Sequence, residues 1–137
     1  MVDRELLELA AKANWRQELA DDEVLLRYSE RDEGMLYLHA DNQDHNGQDR
    51  EFVWNPLTQN HDALELAVKL HIDLTVNNGT ATAVWVDMDL SETHECFEYC
   101  DEAFEGIEAK VAAARRAIVR AAAEIGLNKE QGDWGGV

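Results

Sequence analysis

Cysteine, proline and long apolar runs are scarce in this chain, and each shortage excludes a class of protein. Two cysteines, Cys96 and Cys100, are too few for a disulfide scaffold, and we expect both to be reduced thiols. With one proline, the sequence contains no Pro-rich interdomain linker. No stretch is as continuously apolar as a membrane span, and acids interrupt the leucines of residues 1–14, unlike a signal peptide. We therefore expect a soluble, cytoplasmic protein.

Basic residues are also scarce, with 12 Lys and Arg against 29 Asp and Glu and a formal net charge of −17. Nucleic acids and anionic membrane surfaces repel such a chain. Direct binding to nucleic acid or to a membrane is therefore not expected. The natural complement is a basic protein, including one whose usual ligand is a nucleic acid.

The motifs of common enzyme and cofactor sites are missing as well. The sequence contains no P-loop, dinucleotide fingerprint, nucleophile elbow or HExxH segment. His39, His45, His61 and His71 have no acid or serine at a recognisable catalytic spacing. We therefore predict no cofactor and favour a binding protein over an enzyme. Two distant carboxylates can be catalytic without a local motif, so a small enzyme remains an alternative.

Apolar residues recur every three or four positions in three segments, which predicts three helices. The first covers about residues 3–13 after a candidate cap at Asp3, and the second covers about 62–71 with His71 packed on its apolar face. The third is long and is predicted to stop at Gly126, where glycine suits a left-handed cap. Its apolar stripe consists of Phe104, Ile107, Val111, Ala114, Ile118, Ala121 and Ile125.

Two hairpins are predicted between these helices. Apolar runs at 35–38 and 52–54, separated by a polar segment, predict the first one. Asn78 and Gly79 lie between two alternating runs, as in a two-residue hairpin turn. That turn pairs Val76 with Ala81, Leu74 with Ala83 and Ile72 with Trp85, and it places Thr75 opposite Thr82. Residues 14–34 suit either a strand or a short helix.

These elements predict an α+β fold in which a small antiparallel sheet with β-hairpins packs against two or three helices. A chain of 137 residues suits one core. We assign residues 1–127 to a single domain and 128–137 to a flexible, Gly-rich tail. Trp134 would dock on the domain or on a partner.

Charge is unevenly distributed, because nine acids and no Lys or Arg lie between residues 87 and 108. These acids are Asp87, Asp89, Glu92, Glu95, Glu98, Asp101, Glu102, Glu105 and Glu108. A helix N-terminus would explain Asp101, Glu102 and Glu105 alone, since its field is confined to the first turn. The segment is either a solvated acidic face or a surface that mimics a polyanion. Residues 91–102 suit a strand or a helix, and a helix would align Glu98, Asp101, Glu105 and Glu108.

Three residues in the same segment, His94, Cys96 and Cys100, are of types that bind zinc. The paired C-x2-C spacing of common zinc sites is absent, and Cys96 and Cys100 suit one face of a helix. We interpret them as buried structural cysteines and predict no metal, with these three residues as weak candidates.

Three segments resemble small phage and prophage proteins of the NinX-like kind. They are DRELLELAAKA at 3–13, WNPLTQNHDALELAVKLHIDLTV at 54–76 and ARRAIVRAAAEIGL at 114–127. The resemblance implies expression in the bacterial cytoplasm during infection or lysogeny. It implies no catalytic residue, and the acidic segment at 87–108 departs from the family pattern.

The leading hypothesis is a phage accessory protein that acts by protein binding. Its acidic face would mimic DNA and inhibit a basic host protein of defence or of nucleic-acid handling. The first alternative is a self-associating structural protein, because the stripe from Phe104 to Ile125 suits a homodimer as well as a core. The second is a small enzyme or metal protein with an unrecognised site.

Overall fold

The computed structural model describes the backbone of residues 1–43, 49–77, 79–99 and 102–135, with side chains at 1–39, 51–77, 79–99 and 106–128. In chain order the elements are α1 (Asp3–Asn14), α2 (Arg16–Ala20), β1 (Val24–Ser29), β2 (Gly34–Gln43), β3 (Asp49–Trp54), α3 (Asn60–Leu70), β4 (Asp73–Val76), β5 (Thr80–Asp87), β6 (Glu92–Tyr99) and α4 (Glu102–Gly135). The predicted α+β class with a long C-terminal helix is confirmed. The segment at 14–34 contains both a short helix and a strand.

The described strands form two antiparallel sheets, where one small sheet was predicted. The first sheet has the order β1-β2-β3 and the second has the order β4-β5-β6. The hairpin predicted from the runs at 35–38 and 52–54 is confirmed, with Leu36 opposite Val53 and Tyr37 opposite Phe52. The extra strands are β1, which pairs with β2, and β6, which pairs with β5.

The second hairpin has the register predicted from its turn. Val76 is opposite Ala81, Leu74 is opposite Ala83 and Thr75 is opposite Thr82. The Asn77 backbone N–H donates to the Thr80 carbonyl at 2.8 Å and closes the loop. Ile72 lies just before β4 and is buried, as Trp85 is. Asn78 lies outside the described residues, so the predicted turn type stays a prediction.

Helix α4 is the central element of the core, because it contacts α1, α3 and all three strands of the second sheet. Ile118, Ala121 and Ile125 are buried, so this part of the predicted apolar stripe belongs to the internal core and not to a dimer seam. Ile107, in contrast, is exposed. It follows Gly106, whose φ of 68° and ψ of −159° interrupt the helix.

Gly126 does not end α4, and the predicted helix stop at this position is wrong. The helix continues to Gly135, and a Cβ at Gly126 would collide with the carbonyl oxygen of Leu9 in α1. The glycine is therefore required by the close approach of two helices, an interaction that local sequence does not reveal. Side chains beyond residue 128 lie outside the described set, so the predicted flexible tail and the docking of Trp134 remain untested.

The second predicted helix differs from its prediction in where it ends and in which residues it buries. Helix α3 buries Ala63, Leu66 and Ala67. His71 is the exposed C-cap in a left-handed conformation, with φ of 56° and ψ of 48°, so its predicted packing on an apolar face is wrong. The reason is that the helix ends one residue earlier, which turns the side chain away from the core.

The predicted cap of the first helix also changes. Asp3 is the first residue of α1 and not its cap, which is Val2. Its carboxylate accepts a hydrogen bond from Arg116 Nη1 at 2.9 Å and so ties α1 to α4.

The segment at 54–58, WNPLT, is a junction between elements. The side-chain amide of Asn55 makes two hydrogen bonds. Its Nδ2 donates to the Glu33 carbonyl at 2.6 Å, and its Oδ1 accepts from the Leu57 N–H at 2.9 Å. Arg115 of α4 donates to the Leu57 carbonyl at 2.7 Å. The residues that carry the family resemblance therefore hold the first sheet, α3 and α4 together, which is a structural role.

Candidate functional site

The acidic segment is a strand over most of its described length. Asp87 ends β5, and Glu92, Glu95 and Glu98 all lie in β6. Residues 91–102 were predicted to form either a strand or a helix, and 92–99 form a strand. Glu98 therefore does not belong to the helical stripe of acids. Cys100 and Asp101 lie outside the described residues, as do the side chains of Glu102 and Glu105. Glu108 is exposed on α4.

Strand alternation divides these acids between two faces of the second sheet. Glu92 and Glu98 share the face of buried Cys96, which packs against α4, and Glu95 points to the opposite face. A predicted single acidic face is thus split in two. Glu98 therefore lies on the side that faces α4, and Glu95 lies on the side that faces away from it.

Glu98 is neutralised within the protein. Its Oε1 atom is 2.8 Å from Arg120 Nη1 and 3.4 Å from Arg116 Nε, and its side chain is 19% exposed. Arg120 Nη1 also donates to the Phe97 carbonyl at 2.7 Å, and the hydrogen bond to Glu98 raises the pKa of the arginine. The i,i+4 spacing of the two arginines was a readable signal for one shared acidic partner. The pairing of Glu98 with both arginines was nevertheless not predicted from the sequence.

Two other acids of the segment have local structural roles. Asp87 Oδ1 accepts hydrogen bonds from the backbone N–H groups of Asp89 at 3.0 Å and Leu90 at 3.3 Å, so it closes the β5–β6 turn. Glu92 Oε2 lies 3.6 Å from His94 Nε2. Of the described acids, Glu95 is the one that β6 presents on the outer side of the sheet.

We define the outer face of the second sheet by the side chains that point away from α4. They are Asp73, Thr75, Thr80, Thr82, Val84, Val86, Thr93, Glu95, Phe97 and Tyr99. The register places Val84 between Asp73 on β4 and Glu95 on β6. Since neighbouring strands lie about 4.8 Å apart, the two carboxylate-bearing residues are about 10 Å apart across the sheet.

The outer face is apolar as well as acidic. Phe97 is 46% exposed, Tyr99 81% and Val86 49%, and the adjoining turn exposes Met88 and Leu90. Phe97 and Tyr99 are neighbours on one face of β6, whereas Val86 and the turn residues lie towards the other end of the hairpin. Single exposed apolar residues are ordinary, but an exposed aromatic pair beside a carboxylate is the kind of group that interaction surfaces use. The concentration of acids in the sequence predicted a charged surface and not these exposed aromatic side chains. The alternation of Phe97 and Tyr99 with Glu98 was the available signal.

Two of the three weak metal candidates, Cys96 and His94, occupy structural positions. Burial, followed by the nearby Glu124 carboxylate, raises the pKa of the Cys96 thiol to about 12, so the sulfur is protonated at neutral pH. The His94 ring stacks on Trp85 with centroids 4.3 Å apart. Within the described residues there is no group of three or more His, Cys, Asp and Glu that could hold a metal ion. Cys100 lies outside them.

Comparisons of the chain with protein-family models, with curated proteins and with solved structures found no match. Among the described helices, none is both long enough and apolar enough to span a membrane. The outer face of the second sheet is therefore interpreted from its own chemistry.

Proposed function

We propose that the protein acts by binding a basic protein through the outer face of the second sheet. One observation carries the proposal: exposed Phe97 and Tyr99 lie beside Glu95 on a surface whose other margin carries Asp73. Burial of the aromatic side chains would supply most of the binding free energy. The carboxylates would select for Lys or Arg in the partner.

The net charge of −17 supports the choice of a basic partner. An acidic field accelerates the encounter with a basic surface, and salt weakens that effect. Among basic proteins we favour those that handle nucleic acid, because their binding surfaces are already built for a polyanion. The resemblance to phage proteins favours the bacterial cytoplasm as the location and a host defence or nucleic-acid-handling protein as the target.

The apolar part of the surface changes the form of the mimicry hypothesis. A pure DNA mimic presents regularly spaced acids. Here Glu98 is paired with arginines on the inner side of the sheet, and the outer side exposes Phe97 and Tyr99. The proposed partner surface is therefore amphipathic, with an apolar patch bordered by basic side chains. A uniformly basic groove would leave the aromatic residues without a complement.

The same exposed aromatic residues are also the observation that favours self-association. A twofold interface on this face would bring Asp73 and Glu95 of one copy towards those of the other, and like charges disfavour that arrangement. Light scattering of the purified chain at low and high salt separates the two hypotheses. A dimer that forms at high salt and is lost in Phe97→Ser would favour the structural alternative.

Affinity capture from bacterial lysate tests the proposed function, with three variants compared to the parent chain. The double variant Phe97→Ser/Tyr99→Ser should lose a basic protein that the parent retains at low salt. Leu25→Ser is the matched control, because Leu25 is 70% exposed on a strand of the first sheet. Glu95→Gln should weaken capture at low salt more than at high salt.

Recovery of the same proteins by the parent chain and by the double variant would refute the proposal. Equal losses in the double variant and in Leu25→Ser would do the same, because they would indicate general stickiness in place of a defined surface. The captured protein must also bind as a purified component, with an affinity that falls as salt rises.

A further inference from the structure

A groove of about 550 Å³ lies between α3 and the first sheet, on a different part of the molecule from the outer face of the second sheet. Aromatic side chains from three elements line it, namely Trp15 after α1, Tyr37 in β2 and Trp54 at the end of β3. Helix α3 contributes Asp62, Glu65 and Val68 to the opposite wall. The groove therefore combines an aromatic side with a side that carries two carboxyl groups.

The aromatic side is rigid because its rings pack on one another. The Trp15 ring centroid lies 4.7 Å from that of Tyr37 and 5.0 Å from that of Trp54. Phe52 stacks on Tyr37 with centroids 5.4 Å apart. Trp15 and Trp54 are largely buried, at 6% and 4% exposed, so they support the wall from within and the partly buried Tyr37 is its more accessible ring. Such a preorganised wall loses little entropy when a ligand packs on it.

The carboxylate side is also held in place. Asp62 Oδ2 accepts a hydrogen bond from the Asn55 backbone N–H at 2.9 Å. This bond holds the carboxyl group beside the end of β3, where Trp54 lines the groove. Glu65 Oε1 lies 3.1 Å from His61 Nε2 at the rim. Burial raises the pKa of Tyr37, and the negative charges of Asp62 and Glu65 raise it further. Both carboxylates therefore act on the aromatic side of the groove.

The lysine of the lining does not cancel this charge. Lys69 Nζ lies 3.6 Å from Glu18 Oε2, so its ammonium group is balanced by an acid of α2. Asp62 and Glu65 leave the groove with a negative field. The exposed side chain of Val68, one turn after Leu64, adds an apolar surface at the mouth.

We propose that this groove binds an arginine side chain presented by a peptide or protein. The methylene stem would pack between the aromatic wall and Val68, and the guanidinium would pair with Glu65 and Asp62. Arginine suits this geometry better than lysine, because its planar fork contacts two carboxyl groups and it sheds water more easily. The proposal does not depend on the outer face of the second sheet.

NMR titration of the full chain tests the site with a blocked tripeptide, N-acetyl-Gly-Arg-Gly-amide, as the probe. The indole N–H signals of Trp15 and Trp54 should shift, and that of Trp85 should not. The same peptide with citrulline in place of arginine keeps the shape without the charge, and it should bind at least about ten-fold more weakly. A lysine peptide should fall between the two.

Two variants complete the test. Glu65→Gln should weaken the arginine peptide about five-fold without unfolding the chain, since Glu65 is exposed, and Glu30→Gln is the control on another exposed acid, outside the groove lining. Val68→Ser should also weaken binding, because it removes the apolar contact proposed for the methylene stem. Equal binding of the arginine and citrulline peptides, or unchanged affinity in Glu65→Gln, would overturn the proposal. Phe97→Ser/Tyr99→Ser should bind the probe normally, so the two proposals fail independently.

Discussion

The two sheets differ in where most of their aromatic side chains lie. In the first sheet, Tyr37 and Trp54 are turned towards the interior, where Trp15 covers them. In the second sheet, the interior positions next to α4 hold the small residues Ala81, Ala83 and Cys96 and one aromatic residue, Trp85, whereas Phe97 and Tyr99 point outward.

Side-chain size explains the consequences of this difference. Small residues on the second sheet face the buried alanines of α4, and the helix and sheet can pack closely. Trp85 is the aromatic residue of this sheet that lies in the interior, and Phe97 and Tyr99 remain on the outer face. In the first sheet, the large rings form the core and border the groove beside α3. The proposed partner surface therefore lies on one sheet, and the proposed arginine groove borders the other.

The strongest test of the close packing around α4 is Gly126→Ala. A methyl group at this position collides with the Leu9 carbonyl oxygen, and we expect the free energy of unfolding to fall by about 3 kcal/mol. Ala112→Gly, on an exposed position of the same helix, should lose only about 1 kcal/mol through helix propensity. Urea denaturation measures both. A more stable Gly126→Ala, as propensity alone predicts, would mean that α1 and α4 lie farther apart.

Two phenylalanines test the contrast between the sheets directly. Phe52 stacks on Tyr37 in the first sheet, so Phe52→Ala should lower the free energy of unfolding by about 2 kcal/mol. Phe97→Ala on the outer face of the second sheet should lower it by less than about 1 kcal/mol. Equal losses would indicate that the outer face is covered in the folded protein.

Alkaline pH tests the buried layer between β6 and α4. Because burial raises the pKa of Cys96 from 9.0 to about 12, the folded state favours the neutral thiol. This contribution is complete below pH 9 and is lost as pH rises from 9 towards 12, with about 1.4 kcal/mol gone by pH 10. The stability difference between the parent chain and Cys96→Ala should shrink over that window. A constant difference would contradict the burial of the thiol.

The smallest expected effect separates the inner acid from the outer one. Glu98→Gln leaves Arg116 and Arg120 without their shared carboxylate, and we expect a loss of about 1 kcal/mol. Glu95→Gln should leave stability unchanged or raise it slightly, because the net charge is −17. The two variants differ by three positions on one strand, so the pair is matched in chemistry. A reversal of the order would mean that the strand register is different.

Local patterns predicted much of the fold. The register of the hairpin at 73–87 followed from two turn residues and alternation, because a two-residue loop leaves no freedom in pairing. The three main helices also followed from their periodicity. In contrast, the strand at 92–99 alternates acids with both aromatic and small residues, so neither period dominates. Its pairing with β5 makes this segment a strand.

The candidate surfaces were less predictable than the elements. The concentration of acids at 87–108 was visible, but strand alternation placed Glu95 and Glu98 on opposite sides. The groove beside α3 was not predicted at all, because Trp15, Tyr37 and Asp62 come from distant parts of the chain. Periodicity also could not choose the buried side of α3, where Leu66 is covered and Leu64 is exposed. Both positions are leucine, and only the neighbours distinguish them.

The acidic composition, the helical periods and the hairpin register were determined by the sequence alone, since each depends on residues close together in the chain. The tertiary structure determined which contacts those residues make and which of them are exposed. It made Gly126 a contact between helices, paired Glu98 with two arginines and left Phe97 and Tyr99 exposed. The physical reason is that burial and charge neutralisation depend on which surfaces meet, and that is set by packing across the whole domain.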